Sequence, residues 1–187
     1  MKVKLGTAVD AQGMEVEIWH TDHVGQQKDV AIAYLKATTY LLERQWAMAP
    51  FDLASNNHRA IWLEKDGEVL GGVLYEYHTA NKQGWIVLIF TEEKWRGRHL
   101  YSIIQRALED EVIKLGATSI ASMAHKDNAA RLKAGAREGM MPQYLRLYKD
   151  LTPELDQRRG ELAERAGKPW REINLERWSP PPFLKKS

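Results

Sequence analysis

The sequence predicts a mixed α/β (α+β) domain: a mainly antiparallel central sheet flanked by helices in the order βαβββαβαβ, then a C-terminal helical and extended tail. Three observations predict it. Trp85 to Phe90 is almost continuously apolar and runs through a basic turn into a helix, apolar at Leu100, Ile103, Ile104, Ala107, Leu108, Val112 and Leu115. Two further apolar runs, HRAIWLE and VLGGVLYEYH, flank Lys65-Asp66-Gly67-Glu68, and Asp-Gly between such runs signals a hairpin. Ahead of them, Val30, Ala33, Tyr34, Ala37 and Leu41 form one helical stripe, widened by Ala31, Leu35 and Leu42.

In chain order, residues 1–13 are small and polar and are expected to form an arm. Met14 to Thr21 alternates, with Val16 and Ile18 against Glu15 and Glu17, as a half-buried strand does. A helix from about Lys28 to Trp46 follows and closes before Pro50, and Phe51 to Asn57 reads as a loop or short helix. His58–Glu64 and Val69–His78 are the hairpin strands, and Trp85 opens a third long strand after the Asn81-Lys82-Gln83-Gly84 turn. Continuous apolarity from Trp85 to Phe90 suits a strand covered on both faces. Gly116 stops the next helix, and Thr118 to Ala124 is a strand. Asp127 or Asn128 caps a short helix through Arg137 that ends at Gly139, and Tyr144 to Tyr148 supplies a last strand.

Composition narrows the function. A chain of 187 residues suits one domain and an appendage. Its formal net charge is +2, from 27 basic and 25 acidic residues, with no run longer than two Lys/Arg, which argues against a dedicated nucleic-acid surface. With zero cysteines, disulfides, a thiolate nucleophile and cysteine-ligated zinc are excluded, and no metal site is expected. The opening residues lack the apolar core of a signal peptide, and no apolar stretch reaches membrane-spanning length, so a cytoplasmic protein without a membrane partner is expected.

The strand-to-helix junction carries the chemistry. The first unpaired N–H groups of a helix that follows a strand point out of the sheet end, where an anion can bind them, and Arg96 and Arg98 add charge there. Ile89-Phe90-Thr91-Glu92-Glu93-Lys94-Trp95-Arg96-Gly97-Arg98-His99-Leu100 resembles the strand and acyl-CoA pyrophosphate turn of the GNAT superfamily of N-acetyltransferases. In that family the turn is Arg or Gln, two residues, Gly, one residue, then Gly or Ala. Arg96 and Gly97 match, whereas the two small positions fall on His99 and Tyr101. The element order over Met14 to Asp150 is similar to the family's, as are the Asp66-Gly67 hairpin followed by Gly71-Gly72 and the Asn128 helix that ends in Gly139-Met140. On this reading residues 1–13 are an arm, 14–150 the acyltransferase domain and 151–187 a docking tail.

The resemblance implies acetyl transfer from acetyl-CoA, as co-substrate, to an amine. By position, backbone groups of Phe90 and Thr91 would hold the pantetheine arm. The amides of Arg96, Gly97, Arg98, His99, Leu100 and Tyr101 would hold the pyrophosphate, with the Arg96 and Arg98 side chains beside it. Asn128 would contact the pantetheine or order its loop, and Arg131 would reach the nucleotide end. Against these stand simpler readings: solvated turn charges for Arg96 and Arg98, a helix cap for Asn128, an exposed helix residue for Arg131, and packing for Trp85 and Trp95.

Deprotonation of an ammonium needs a base, and the candidates at strand ends are Glu92, Glu76, His78 and His125. The family's tyrosine acid would fall on Gly135, which leaves Tyr144, or Tyr148, as its substitute. In the tail, Thr152-Pro153-Glu154 opens a helix, and KPWREINLERWSPPPFLKKS interleaves aromatic residues with charges, so 168–187 is expected to dock on its own domain, a protein partner or a second copy. The alternative to an enzyme is a catalytically inactive scaffold of the same fold. Its degenerate glycine turn is similar to those of bacteriophage-encoded acetyltransferase-like proteins, some of them candidate virion parts.

Overall fold

The computed structural model describes residues 1–44, 46, 58–125, 127–140 and 164. The chain divides into the compact units Met1–Met141 and Pro142–Ser187. In the second unit Glu164 is described and is helical. The first unit carries β1 (Val3–Val9), β2 (Glu15–Thr21), α1 (Lys28–Glu43), β3 (Arg59–Lys65), β4 (Glu68–His78), β5 (Gln83–Thr91), α2 (Leu100–Lys114), β6 (Ser119–Ser122) and α3 (Ala129–Arg137). The Tyr144–Tyr148 strand, the Phe51–Asn57 segment and the aromatic tail lie outside the described residues.

The six strands form one sheet in the order β1-β2-β3-β4-β5-β6. Each neighbouring pair is antiparallel except β5 and β6, which are parallel because α2 carries the chain back across the sheet. The mainly antiparallel mixed fold predicted from the sequence is the fold observed. One addition is β1, which occupies the residues expected to form an arm. It pairs with β2 from Val3↔His20 to Val9↔Glu15, with a bulge between Lys4 and Gly6. Its Leu5 and Ala8 pack against the core on the α2 side, so this edge strand is held by an apolar face as well as by its backbone ladder. Lys2 adds a contact across the strands, its ammonium lying 4.0 Å from the Trp19 ring centre and 2.6 Å from the Glu64 carboxylate.

The period-two alternation of β3 sorts two cores. Ile61 and Leu63 join Val16, Val73 and Tyr75 under Ile104, Leu108 and Val112 of α2. Ala60 and Trp62 face the other way and join Leu74 and Leu88 under Val30 and Tyr34 of α1. At fully buried positions such as Ile61, Leu63, Leu74 and Leu108, each side chain is worth about 1.5–3 kcal/mol of transfer free energy. Two glycines let β4 lie this close to its neighbours. A Cβ on Gly71 would stand 2.7 Å from the Phe90 carbonyl oxygen, and one on Gly72 would stand 2.7 Å from the Ile61 carbonyl oxygen and 2.8 Å from the Tyr34 hydroxyl.

The expectation that β5 is covered on both faces holds at Ile86 and Leu88, which are buried, while Phe90 and Thr91 are half-buried. Ile86 belongs to the α2 core and Leu88 to the α1 core although they are two residues apart. The cause is a bulge: Leu74 pairs with Leu88 but Tyr75 pairs with Ile86, so Val87 is an extra residue that swaps the faces of β5. Other boundaries moved by a few residues, α1 ending at Glu43 rather than Trp46 and β6 spanning Ser119–Ser122 rather than Thr118–Ala124. No described helix is long and apolar enough to cross a membrane.

Candidate active site

The bulge at Val87 also opens a wedge. β5 and β6 pair only from Gln83↔Ser119 to Ile86↔Ser122. β6 then ends, whereas β5 continues to Thr91 against β4, through Phe90↔Gly72 and Thr91↔Gly71. From Val87 to Thr91 the β6 side of β5 therefore has no strand partner among the described residues, and its backbone N–H and C=O groups line a cleft closed at Ile86 and Ser122. Phe90 anchors this stretch from the far side, its ring meeting Tyr34 edge-to-face at 5.1 Å.

At the open end the chain turns into α2. The Glu92 amide extends the ladder to Leu70 O at 2.9 Å, and Glu93–Trp95 makes a single 3-10 turn tied down by Glu68, which accepts Trp95 Nε1 at 3.3 Å and pairs with Lys94 Nζ at 2.5 Å. Gly97 and His99 then take left-handed backbone, with φ of 80° and 60°. Glycine adopts that conformation freely, but a side chain there costs about 1–2 kcal/mol. His99 thus keeps the backbone shape of a glycine at the first of the two off-pattern positions. It is the N-cap of α2 without a side-chain cap bond. The amides of Gly97, Arg98, His99, Leu100 and Tyr101 find no acceptor among the described residues, and open space lies where a Cβ on Gly97 would be. Free donors at a helix start, in a turn of this shape, fit a pyrophosphate.

The two arginines of the turn do different things. Arg96 is half-exposed, its Nε donates to Thr91 O at 3.4 Å, and its guanidinium lies 5.5 Å from the Tyr40 ring centre, so a cation stands at the cleft mouth. Arg98, expected beside it as a second cation for the anion, is instead paired with Asp10 in the β1–β2 loop, where 18 % of its side chain and none of the Asp10 side chain is exposed. The Ala11 amide also donates to Arg98 O at 3.2 Å. Hydrogen bonding from Arg98 is the largest influence on Asp10 and, with amide donation from Met14 and Gln12, holds its carboxyl down at about 2. Arg98 is therefore a brace for the turn.

Across the cleft stands α3. Asn128 is its N-cap, accepting the Arg131 amide at 3.1 Å, so of the readings open to it the cap is the one observed. Arg131, for which an exposed helix position was the simpler reading, turns inward. Its Nη2 donates to Ser122 Oγ at 2.7 Å, at the closed end of the wedge, and its Nη1 donates to the Tyr101 hydroxyl at 2.8 Å. Burial pushes the Arg131 pKa down from its ordinary value. A Cβ on Gly135 would stand 2.7 Å from Nη1, so the guanidinium occupies the space that a side chain at that position would need. Leu100 is buried in the α2 core and takes part in the turn only through its backbone.

On the α1 face, next to the closed end, three polar side chains converge. Glu76 pairs with Trp85, one residue before the last β5–β6 pair. Its Oε1 lies 3.0 Å from His58 Nε2 and its Oε2 3.0 Å from His78 Nε2, while His78 stacks on Trp85 at 6.3 Å. His58 is 9 % exposed, and its Nδ1 is buried without a hydrogen-bond partner among the described residues. Two of the four base candidates, Glu76 and His78, thus belong to one cluster, and His58 is a member that sequence reasoning missed. His125 lies beyond β6 and stacks on Trp46 at 6.3 Å, which in turn meets Tyr40 edge-to-face, so an aromatic wall lines the cleft mouth. Glu92 is half-buried at the outer end of β5, away from this cluster. Tyr144 lies outside the described residues.

The sequence model of the acetyltransferase (GNAT) family matches residues 25–134. Among solved structures, an aminoglycoside acetyltransferase, HMB0005 from an uncultured soil metagenomic sample, superposes with a TM-score of 0.57 at 14 % identity over 74 % of this chain and 100 % of that one. A ribosomal-protein-alanine N-acetyltransferase from Brucella melitensis biovar Abortus 2308 has a TM-score of 0.55 at 14 % identity over 73 % of this chain and 99 % of that one. Aminoglycoside N-acetyltransferase AAC(6')-Iy in complex with CoA has a TM-score of 0.52 at 13 % identity, covering 72 % and 99 %. At these identities the likeness is one of fold. No curated protein matches the chain.

Proposed function

Because the chain belongs to the GNAT acetyltransferase family, we propose that it is an N-acyltransferase that moves an acetyl group from acetyl-CoA to an amine. One observation carries the reading: the cleft between β5 and the end of β6 has, at its open end, helix-start amides with no acceptor among the described residues, and a carboxylate beside its closed end. Acetyl-CoA, when bound, supplies the acyl group as an activated thioester. The chain's own residues supply position and proton transfer. The amides of Gly97 to Tyr101 and the Arg96 guanidinium hold the phosphates, and the exposed edge of Phe90 and Thr91 offers main-chain partners to the pantetheine amides. Glu76 takes the proton from the acceptor ammonium at Oε1 or Oε2, and His58 and His78, one on each oxygen, fix the carboxylate in plane.

Calorimetric titration with acetyl-CoA tests this directly. The wild type binds saturably, and Arg96→Ala weakens binding because it removes the cation at the mouth. Arg98→Ala weakens it for a different reason, the loss of the brace to Asp10, and is distinguished by a lower melting midpoint. If the wild type binds no acetyl-CoA, the acyltransferase reading fails and the scaffold reading takes its place.

A further inference from the structure

We infer that the cleft selects an acyl group with a terminal carboxylate, such as succinyl, over acetyl, and that Arg131 is the residue that reads the carboxylate. The inference rests on the acyltransferase reading and names the class of acyl donor within it.

An unbalanced charge carries the argument. Arg59, Arg98 and Arg131 are the described arginines that are partly buried. Arg59 is paired with Asp22 at 3.0 Å and Arg98 with Asp10, but Arg131 has no carboxylate partner among the described residues. Its acceptors are all neutral: Ser122 Oγ at 2.7 Å, the Tyr101 hydroxyl at 2.8 Å and Met140 Sδ at 3.6 Å. The nearby carboxylates are committed to α2, Glu138 accepting from Ser102 and Glu109 from Gln105. Tyr101 passes its own proton to Gln105 Oε1 at 3.4 Å, so it too brings no negative charge. A guanidinium taken out of water without an opposite charge is costly, and a ligand anion recovers that cost. Burial pushes the Arg131 pKa down, and Tyr101 alone acts the other way. Of the five N–H donors, Nε–H and the second Nη1–H have no acceptor among the described residues and are left for a carboxylate.

Position selects the acyl group as the source of that anion. A thioester arm whose phosphates sit on the turn after Thr91 and whose chain follows the β5 edge reaches the closed end of the wedge at Ile86, five residues away. At about 3.3 Å per residue this is about 16 Å, within the reach of an extended pantetheine chain. Ser122 is the β6 residue paired with Ile86, so the guanidinium is one hydrogen bond from the residue that closes the wedge. A succinyl group puts its carboxylate carbon about 4 Å beyond the thioester carbon, whereas an acetyl group ends after one bond. Glu76 belongs to the adjoining row, Trp85–Ala121, whose side chains leave the opposite face of the sheet. The acceptor ammonium is thus drawn to Glu76 on one face and the acyl carboxylate to Arg131 on the other, with the reacting carbonyl between them. In the transfer the C–N bond forms and the C–S bond breaks. The ammonium proton goes to Glu76, the thiolate takes a proton from water, and the acyl carboxylate is unchanged.

The experiment compares two stable CoA thioethers of equal chain length, S-carboxypropyl-CoA and S-butyl-CoA, by calorimetry on the wild type, Arg131→Gln and Arg131→Lys. Steady-state rates with succinyl-CoA and butyryl-CoA accompany it. The wild type binds the carboxylate analogue about 10–100-fold more tightly than the neutral one, and kcat/KM follows the same preference. Arg131→Gln brings the ratio to about one, while Arg131→Lys, which keeps the charge without the planar fork, retains part of it. Each ratio is taken within one protein, so a loss of folded material cancels. A ratio near one in the wild type, or a ratio that Arg131→Gln leaves unchanged, overturns the inference while the acyltransferase reading stands. Failure of the wild type to bind either analogue or acetyl-CoA overturns both.

Discussion

Asp10 and Arg98 are 88 residues apart in the chain and form an ion pair that ties the β1–β2 loop to the turn at the start of α2. Asp10 also closes its own loop, its Oδ1 accepting the amides of Gln12 at 2.8 Å and Met14 at 2.9 Å. An edge strand that touches no candidate catalytic group thereby sets the backbone of the anion turn.

Asp10→Asn should therefore lower the melting midpoint at neutral pH and weaken acetyl-CoA binding. The Asp10 carboxyl is held at about 2 against its ordinary 3.8. A depressed carboxylate stabilises the fold above the ordinary value and loses that contribution as pH falls through the depressed one. The gap in melting midpoint between wild type and variant should narrow between pH 3.8 and about 2. A gap that stays constant across this window contradicts the pairing.

His99→Gly should stabilise the protein. The left-handed backbone at φ 60° costs a histidine about 1–2 kcal/mol, and glycine's greater freedom in the unfolded chain returns about 0.5–1 kcal/mol of this. The net gain is about 0–1.5 kcal/mol, read by urea denaturation, and acetyl-CoA affinity rises with removal of the imidazole from the turn. A loss of stability would mean that His99 makes a contact worth more than its strain.

Glu76→Gln should lower kcat by about 10²–10⁴-fold with acetyl-CoA affinity unchanged, since it removes the proton acceptor but keeps the shape between His58 and His78. Initial rates against an amine panel and calorimetry with acetyl-CoA separate the two effects. Unaltered rates would move the base to His125, which lies against Trp46 at the mouth.

Gly72→Ala should destabilise the fold by about 1–3 kcal/mol. Its Cβ meets the Ile61 carbonyl oxygen at 2.7 Å and the Tyr34 hydroxyl at 2.8 Å, and these two atoms are hydrogen-bonded to each other. Relief requires β3 and β4 to move apart. Chemical denaturation gives the number, and a neutral result would show that the sheet yields more readily than its packing implies.

Much of the candidate site is legible in the sequence. The turn from Thr91 to Leu100 announced itself through a strand running directly into an amphipathic helix, both local patterns. Glu76 and His78 were visible as polar ends of an apolar strand. His58 was not, and the reason is a register shift. Counting back from the Lys65↔Glu68 end of the hairpin sets His58 opposite Tyr75, on the wrong face for Glu76. The bulge between Leu63 and Glu64 in the pairing, which leaves Leu70 as the extra residue, moves the register by one and brings Arg59 opposite Tyr75, so that His58 comes level with Glu76.

The sequence by itself determined the strands and helices from β2 to α3 and the mixed, mainly antiparallel fold, because side-chain periodicity, Asp-Gly turn chemistry and helix caps act over a few residues. Tertiary structure alone decided what those elements do together. It placed bulges at Leu70 and Val87, each an extra residue that shifts the register by one and turns the side chains beyond it to the other face of the sheet. It recruited residues 3–9 as an edge strand, whose ladder needs β2 as a partner and whose Leu5 and Ala8 meet an apolar core only once the sheet has formed. It also turned Arg98 toward Asp10 and Arg131 toward Tyr101, because a cation leaving water is stable only beside the carboxylate, hydroxyl or ring that distant chain segments bring to it.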